Sequence, residues 1–176
     1  MGTLRFARLK STFSGKGDIQ TTHRMATIQK SALVPYSAKS MFGLVDDVDS
    51  YPQFLPWCGG TRVVANDDAT VSATINIDYH GIKQSFTTRN TRVEGEVIDM
   101  KLQDGPFKRL EGIWRFVALA GDAGCKVELA LDYTFSSSVL ERAVGPVFEM
   151  IAGTMIERFV ARADTLFTPP ASAAAG

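Results

Sequence analysis

Histidine and cysteine are scarce in this 176-residue chain, with two of each. Cys58 and Cys125 lie far apart, with no CxxC spacing and no histidine cluster beside them. That pattern offers neither a zinc set nor a redox pair, and two free thiols of a reducing compartment are the simple reading. His80 precedes Gly81 in a turn signal without an orienting carboxylate, and His23 lies in the N-terminal segment, so no catalytic triad is visible. Paired acid and base groups are missing too, which argues against an enzyme. Net charge is zero, nineteen basic against nineteen acidic residues, so nothing global points to DNA or RNA. No basic-aromatic platform for RNA is visible either. No apolar run approaches the ~18 residues that span a bilayer. Nor does an apolar stretch precede a small-residue cleavage site, as in a secretory signal.

What remains is the composition of an ordinary soluble globular domain, 45% apolar and 22% charged. A chain of this size buries roughly 70% of its unfolded surface. Its charge is uneven. Residues 1–24 carry Arg5, Arg8, Lys10, Lys16 and Arg24 against Asp18 alone, so the rest of the chain is acidic by the same margin. This segment reads as a flexible leader or a mis-assigned start, with strand-like order beginning at Met25. A transit peptide is the other reading, supported only by the scarcity of acids. Residues 25–168 form the expected folded domain, and 169–176 a disordered tail.

Along that domain, residues 26–36 read as a strand ended by Pro35. Ser37 is a helix N-cap for AKSMFGLVDDV, whose stripe is Met41, Leu44, Val45 and Val48. Asp49 or Ser50 would cap a second short helix in DSYPQFLPWCGG, closed by Pro56 and Gly59-Gly60. Alternation then takes over. Val71, Ala73, Ile75, Ile77 and Tyr79 share one face, as do Ile98, Met100 and Leu102, and Val127, Leu129, Leu131, Tyr133 and Phe135. The strand KQSFTTRNTRV is polar on both sides, which suits an inner face that is only partly closed. In DGPFKRLEGIWRF (104–116) the dry face is Leu110, Gly112, Trp114 and Phe116, and the glycine leaves an open patch. A long amphipathic helix follows residues 136–138, with Leu140, Val144, Phe148, Ile151, Met155, Phe159 and Leu166 on one side. Pro146 predicts a kink or a restart at a first-turn position.

The expected fold is α+β: one strand, two short helices, a curved antiparallel meander and a long terminal helix. A helix ~10 Å across cannot fill a curved sheet whose strands repeat every ~4.8 Å, so a cavity is expected between them.

This order resembles the helix-grip fold of the START and birch-pollen-allergen superfamily, with seven strands wrapped around the C-terminal helix. The words VPYS (34–37), SYPQFLPWC (50–58), FTTRN (86–90), DGPFKRLEGIWRF (104–116) and the Arg162-Ala163 pair resemble the coenzyme Q-binding START-domain family, over about 28–167. Bacterial members of that family include ribosome association toxins. The resemblance implies non-catalytic binding and delivery of a polyprenyl quinone, ubiquinone, in support of respiratory electron transport. It implies, as the alternative, a type II toxin-antitoxin toxin that blocks ribosomal subunit joining. A third reading is a cyclase-like enzyme, since the superfamily includes cyclases. Partners would be the quinone, a membrane surface touched transiently, and the ribosome in the second reading. The place would be the cytoplasm at the inner membrane, or the mitochondrial matrix side with a transit peptide.

Expected ligand-binding residues are Phe86, Thr88, Ile98, Met100 and Leu102 on the middle strands, and Phe107, Leu110, Trp114 and Phe116 on the central strand. Leu131 and Tyr133 follow on the last strand, with Phe148, Ile151 and Met155 on the helix. Thr88, Asn90 and Tyr133 would hydrogen-bond a quinone head, whereas Arg89 points away by alternation and Lys108 sits at a cavity mouth or in solvent. Met100, Met150 and Met155 suit a pliable wall. Phe54, Leu55 and Trp57 would form a lip that touches lipid.

Overall fold

Pro35 cannot donate to a strand ladder, so β1 (Ala26–Val34) stops just before it. Ser37 then caps α1 (Ala38–Asp46) by accepting from the Ser40 amide at 3.0 Å. A computed structural model describes residues 25–167; the expected leader and tail lie outside the described residues. After α1 the chain forms a 3₁₀ turn (Val48–Gln53) that has no side-chain cap, so neither Asp49 nor Ser50 plays the part expected of it. The strands are β2 (Cys58–Ala65), β3 (Thr70–Tyr79), β4 (Ile82–Val93), β5 (Val97–Asp104), β6 (Phe107–Ala118) and β7 (Cys125–Phe135), followed by α2 (Ser138–Leu166). Gly59 and Gly60 lie within β2, at a register shift against β3, and do not close the preceding turn.

All seven strands form one antiparallel sheet in the order β1-β7-β6-β5-β4-β3-β2. β2 to β7 are a meander, and β1 closes it beside β7. The turns follow their residues. His80 and Gly81 both have positive φ, 48° and 80°, the two-residue hairpin geometry that joins twisted strands without splaying them. Register shifts between Thr87 and Thr88 and between Phe107 and Arg109 bend the sheet further.

α2 is capped by Ser137, which accepts from the Leu140 amide, and runs unbroken through Pro146. No restart occurs there, and Pro146 lies two turns in rather than in the first. Proline at this depth leaves one carbonyl of the preceding turn without its helical donor; Arg142 and Pro146 are exposed, so water can supply it. The inward face of α2 is Val144, Phe148, Ile151, Ala152, Ile156, Phe159 and Ala163. Leu166 is half exposed, not part of that face, because it lies in the last turn of the helix. α2 packs on β7, β1 and α1, so the inner faces of β3, β4 and β5 are less tightly roofed.

Candidate functional site

Two groups of rings hold α2 onto the sheet. Toward its N-terminus, Phe148 lies 4.7 Å from Tyr133 and 4.8 Å from Phe107, which is 4.9 Å from Phe135. Toward its C-terminus, Phe159 lies 5.2 Å from Tyr51, 5.2 Å from Phe54 and 5.4 Å from Trp114. Between these rings α2 presents Ile151, Ala152 and Met155, which are too small or too pliable to fill the space. There the structure has an apolar cavity of about 60 Å³.

The cavity collects residues from every layer. β3 gives Ala73 and Ile75; β4 gives Phe86, Thr88 and Asn90; β5 gives Met100. Leu110 and Trp114 come from β6, Leu129 and Leu131 from β7, and Val48, Tyr51 and Trp57 from the segment after α1. No charged side chain lines it. Phe86, Met100 and Met155 are only half buried, while the remaining lining residues are buried, so these three mark the mouth.

Of the residues expected at a ligand, Phe86, Thr88, Met100, Leu110, Trp114, Leu131, Phe148, Ile151 and Met155 do line this cavity. Ile98, Leu102, Phe107, Phe116 and Tyr133 do not. Ile98 is buried opposite Trp114 in the ladder, and Phe116 packs on Phe42 at 5.7 Å. Leu102 is half buried opposite Thr88, and Phe107 and Tyr133 belong to the N-terminal ring group. The Tyr133 phenol is pushed up by burial, then by Glu149 and Glu141, and stays neutral among those rings. Asn90 lines the cavity as expected; Arg89 and Lys108 are exposed. Met150 faces outward on α2 and is no wall.

The gap expected at Gly112 is real but occupied. A Cβ there would meet the Met100 methyl at 2.6 Å and Leu131 Cδ1 at 3.0 Å. Met100 pairs with Gly112 across β5 and β6, so its unbranched side chain lies over the glycine.

The expected lipid lip is overturned for two of its three residues. Leu55 is 1% exposed and Trp57 2%. Their segment turns inward because the Leu55 amide donates to the Tyr51 carbonyl, and Tyr51 Oη donates to the Val45 carbonyl at 2.6 Å. The Asp78 amide donates to the Trp57 carbonyl at 2.9 Å, tying the segment to β3. Phe54 is half buried, with the Arg162 guanidinium 5.3 Å from its ring centre. Sequence reasoning placed Trp57 outside because tryptophan favours interfaces; the carbonyl bonds that turn it inward leave no periodic signal. Ala73, Ile75 and Leu129 were legible as inward residues by alternation, but not as neighbours of a space.

Three polar side chains line the cavity besides Tyr51. Thr88 Oγ1 donates to Asn90 Oδ1 at 2.7 Å, a bond buried on β4. Trp57 Nε1 is buried and has no hydrogen-bond partner. Among the described residues no cluster of histidine, cysteine or carboxylate groups is suited to a metal, and no helix is long and apolar enough to cross a membrane.

Comparison with known proteins agrees with this architecture. Residues 34–160 match the family model described as polyketide cyclase / dehydrase and lipid transport. The ribosome association toxin RatA of Escherichia coli K12 is 42% identical over 144 residues, 82% of this chain and 90% of that protein. The mitochondrial coenzyme Q-binding protein COQ10 of Drosophila melanogaster is 24% identical over 156 residues, 87% of this chain and 64% of its own. Neither name is that of an enzyme. Among solved structures, the ZhuI aromatase/cyclase of Streptomyces sp. R1128 superposes with a TM-score of 0.67 at 16% identity, covering 80% of this chain and 94% of that one, a likeness of fold. With a helix-grip sheet, a roofed apolar cavity and a matched span of this length, the chain belongs to the START-like family of polyketide cyclase/dehydrase and lipid transport proteins.

Proposed function

We propose that the protein binds a polyprenyl quinone of the ubiquinone type by its head group and hands it on without transforming it, peripheral to the inner membrane. The observation that carries this reading is the uncharged cavity between the two ring groups, with donors on an otherwise apolar wall. Apolar walls with a few placed polar groups are the usual make-up of a small-molecule site. At about 60 Å³ the cavity is well below the ~300 Å³ at which such sites begin, so uptake requires the mouth to open. Met100 and Met155 are suited to that movement, having flexible side chains and half-exposed positions. The resemblance to a coenzyme Q-binding protein supports the choice of ligand.

Organic extraction of freshly purified protein followed by mass spectrometry tests the reading, with a stoichiometric polyprenyl quinone expected. Ala152→Leu, which fills the cavity from α2, is expected to lower quinone uptake at least ~tenfold, about 1.4 kcal/mol, while lowering stability by about 1–3 kcal/mol, so its uptake is measured on protein shown to be folded. An empty extract together with no binding of added quinone sinks the proposal.

A second reading, interference with ribosomal subunit joining, is favoured by the 42% identity to a protein named ribosome association toxin. Added to ribosomes in a sucrose gradient, the purified protein would then deplete joined particles; an unchanged profile excludes it.

A further inference from the structure

β1 stands at one end of the sheet order, so one of its edges pairs with β7 and the other meets no strand among the described residues. Free edges of this kind are normally covered, shortened or charged. A groove between β1 and α2 runs along this one. Its first part, about 370 Å³, lies between residues 25–28 and the helix positions Glu141, Pro146 and Glu149. Its second part, about 330 Å³, lies between residues 30–32 and the helix positions Gly153, Ile156, Val160 and Asp164. Ser31 and Ala32 point to opposite faces of the sheet, yet both line the groove, so it follows the strand edge. The helix side is open at Gly153, where a Cβ would meet nothing within 4 Å.

The floor is largely apolar and the rim is acidic. Glu141, Glu149 and Glu157 recur every eight residues and Asp164 follows seven later, steps of about two turns that keep all four on the β1 side of α2. Asp164 also accepts from Tyr36 Oη at 2.6 Å. Lys30 is the one basic residue lining the groove. Arg162 lies toward the other flank of the helix, against Gln53 and Phe54.

The geometry points to residues 1–24 of the same chain as the occupant of this groove. Three observations agree on that segment. It ends beside the groove, because Met25 is itself a lining residue. It carries five basic residues against one acid, opposite in sign to the rim, and Leu4, Phe6 and Leu9 lie among Arg5, Arg8 and Lys10 to meet the floor. It is also long enough: the row from Glu141 to Asp164 is ~35 Å long, which about eleven extended residues span. Lying there, the leader covers the free edge of β1 and keeps it from pairing with another chain.

The test uses the full chain with a nitroxide attached through Ser11→Cys; the unsubstituted chain, treated identically, checks that the buried Cys58 and Cys125 stay unlabelled. At low salt the label is expected to broaden the amide resonances of Ser31, Ala32, Gly153 and Glu157 and to leave those of β2, at the far edge of the sheet, unchanged. Raising sodium chloride to about 0.5 M should return at least about half of the lost intensity, because exposed charges are then screened. Glu149→Lys combined with Glu157→Lys should do the same at low salt. Gly153→Phe fills the groove at a position with room for a side chain, so it should displace the leader without unfolding the domain. No broadening along β1 and α2, or broadening that ignores both the charge reversal and Gly153→Phe, overturns the proposal. Broadening of an unlabelled, isotope-enriched chain mixed with the labelled one would assign the groove to the leader of a second copy, and overturns it as well.

Discussion

The N-terminal end of α2 and its middle face the same sheet, yet one is packed and the other hollow. At the end, Phe107, Tyr133, Phe135 and Phe148 meet with ring centroids 4.7 to 6.2 Å apart. Four large side chains bridge the distance from helix to curved sheet. In the middle, the facing positions are Ala152 on the helix and Ala73, Thr88 and Asn90 on the strands. α2 runs unbroken across the two regions; residue size and polarity, together with the looser roof over β3 to β5, decide which part becomes core and which becomes site.

The comparison is broken most strongly by removing a ring. Phe135→Ala, at a position 3% exposed that does not line the cavity, is expected to cost about 3–5 kcal/mol in urea unfolding. A loss below ~1 kcal/mol would mean the ring group is not the anchor of α2. A smaller effect is expected in the hollow region. Thr88→Val leaves Asn90 Oδ1 without its donor and should cost about 1–3 kcal/mol, whereas Thr88→Val with Asn90→Leu should recover most of it. If the double variant is no more stable than the single one, the pair is not an isolated buried network.

The smallest effect is a pH dependence. Burial first, then Asp46, then Cys58 and Asp47, push the Tyr51 phenol up from its ordinary value. An acid held neutral in the fold contributes fully below its unfolded pKa of about 10, and that contribution fades as pH rises through the raised value. Burial acts in the same direction on the thiols Cys58 and Cys125. Urea stability should therefore decline above about pH 9, and Tyr51→Phe should flatten part of the decline while costing about 1 kcal/mol at neutral pH for the lost Val45 bond. An identical alkaline slope in wild type and Tyr51→Phe would remove Tyr51 as its source.

How far the sequence was legible follows from what leaves a periodic trace. Alternation in β3, β6 and β7 identified the inward residues, and Ser37 announced the start of α1. The cavity was expected because one helix roofs seven strands. Its lining was only partly legible, since period-two patterning says which way a residue faces and not what stands opposite. Gly112 illustrates this: the gap in the strand was visible, but not that Met100 from the adjacent strand lies over it. Trp57 illustrates a second limit, because the bonds that turn it inward run through the carbonyls of Tyr51, Val45 and Trp57 itself. Pro146 shows a third: a proline in a helix is tolerated where the carbonyl it strands is at the surface.

The pairing of β1 with β7 has a consequence for how the molecule comes into being. Ala26 lies opposite Tyr133 and Val34 opposite Cys125, so this ladder closes a loop of roughly a hundred residues. Contacts of such long range form late and slowly. During synthesis the first strand has no ladder partner until nearly all of the sheet has been made, and α2 arrives last of all. Until then the apolar faces of the meander have no roof. The hollow is therefore the final feature of the molecule to be enclosed, and a chain that stops short of α2 presents that whole face to whatever is nearby.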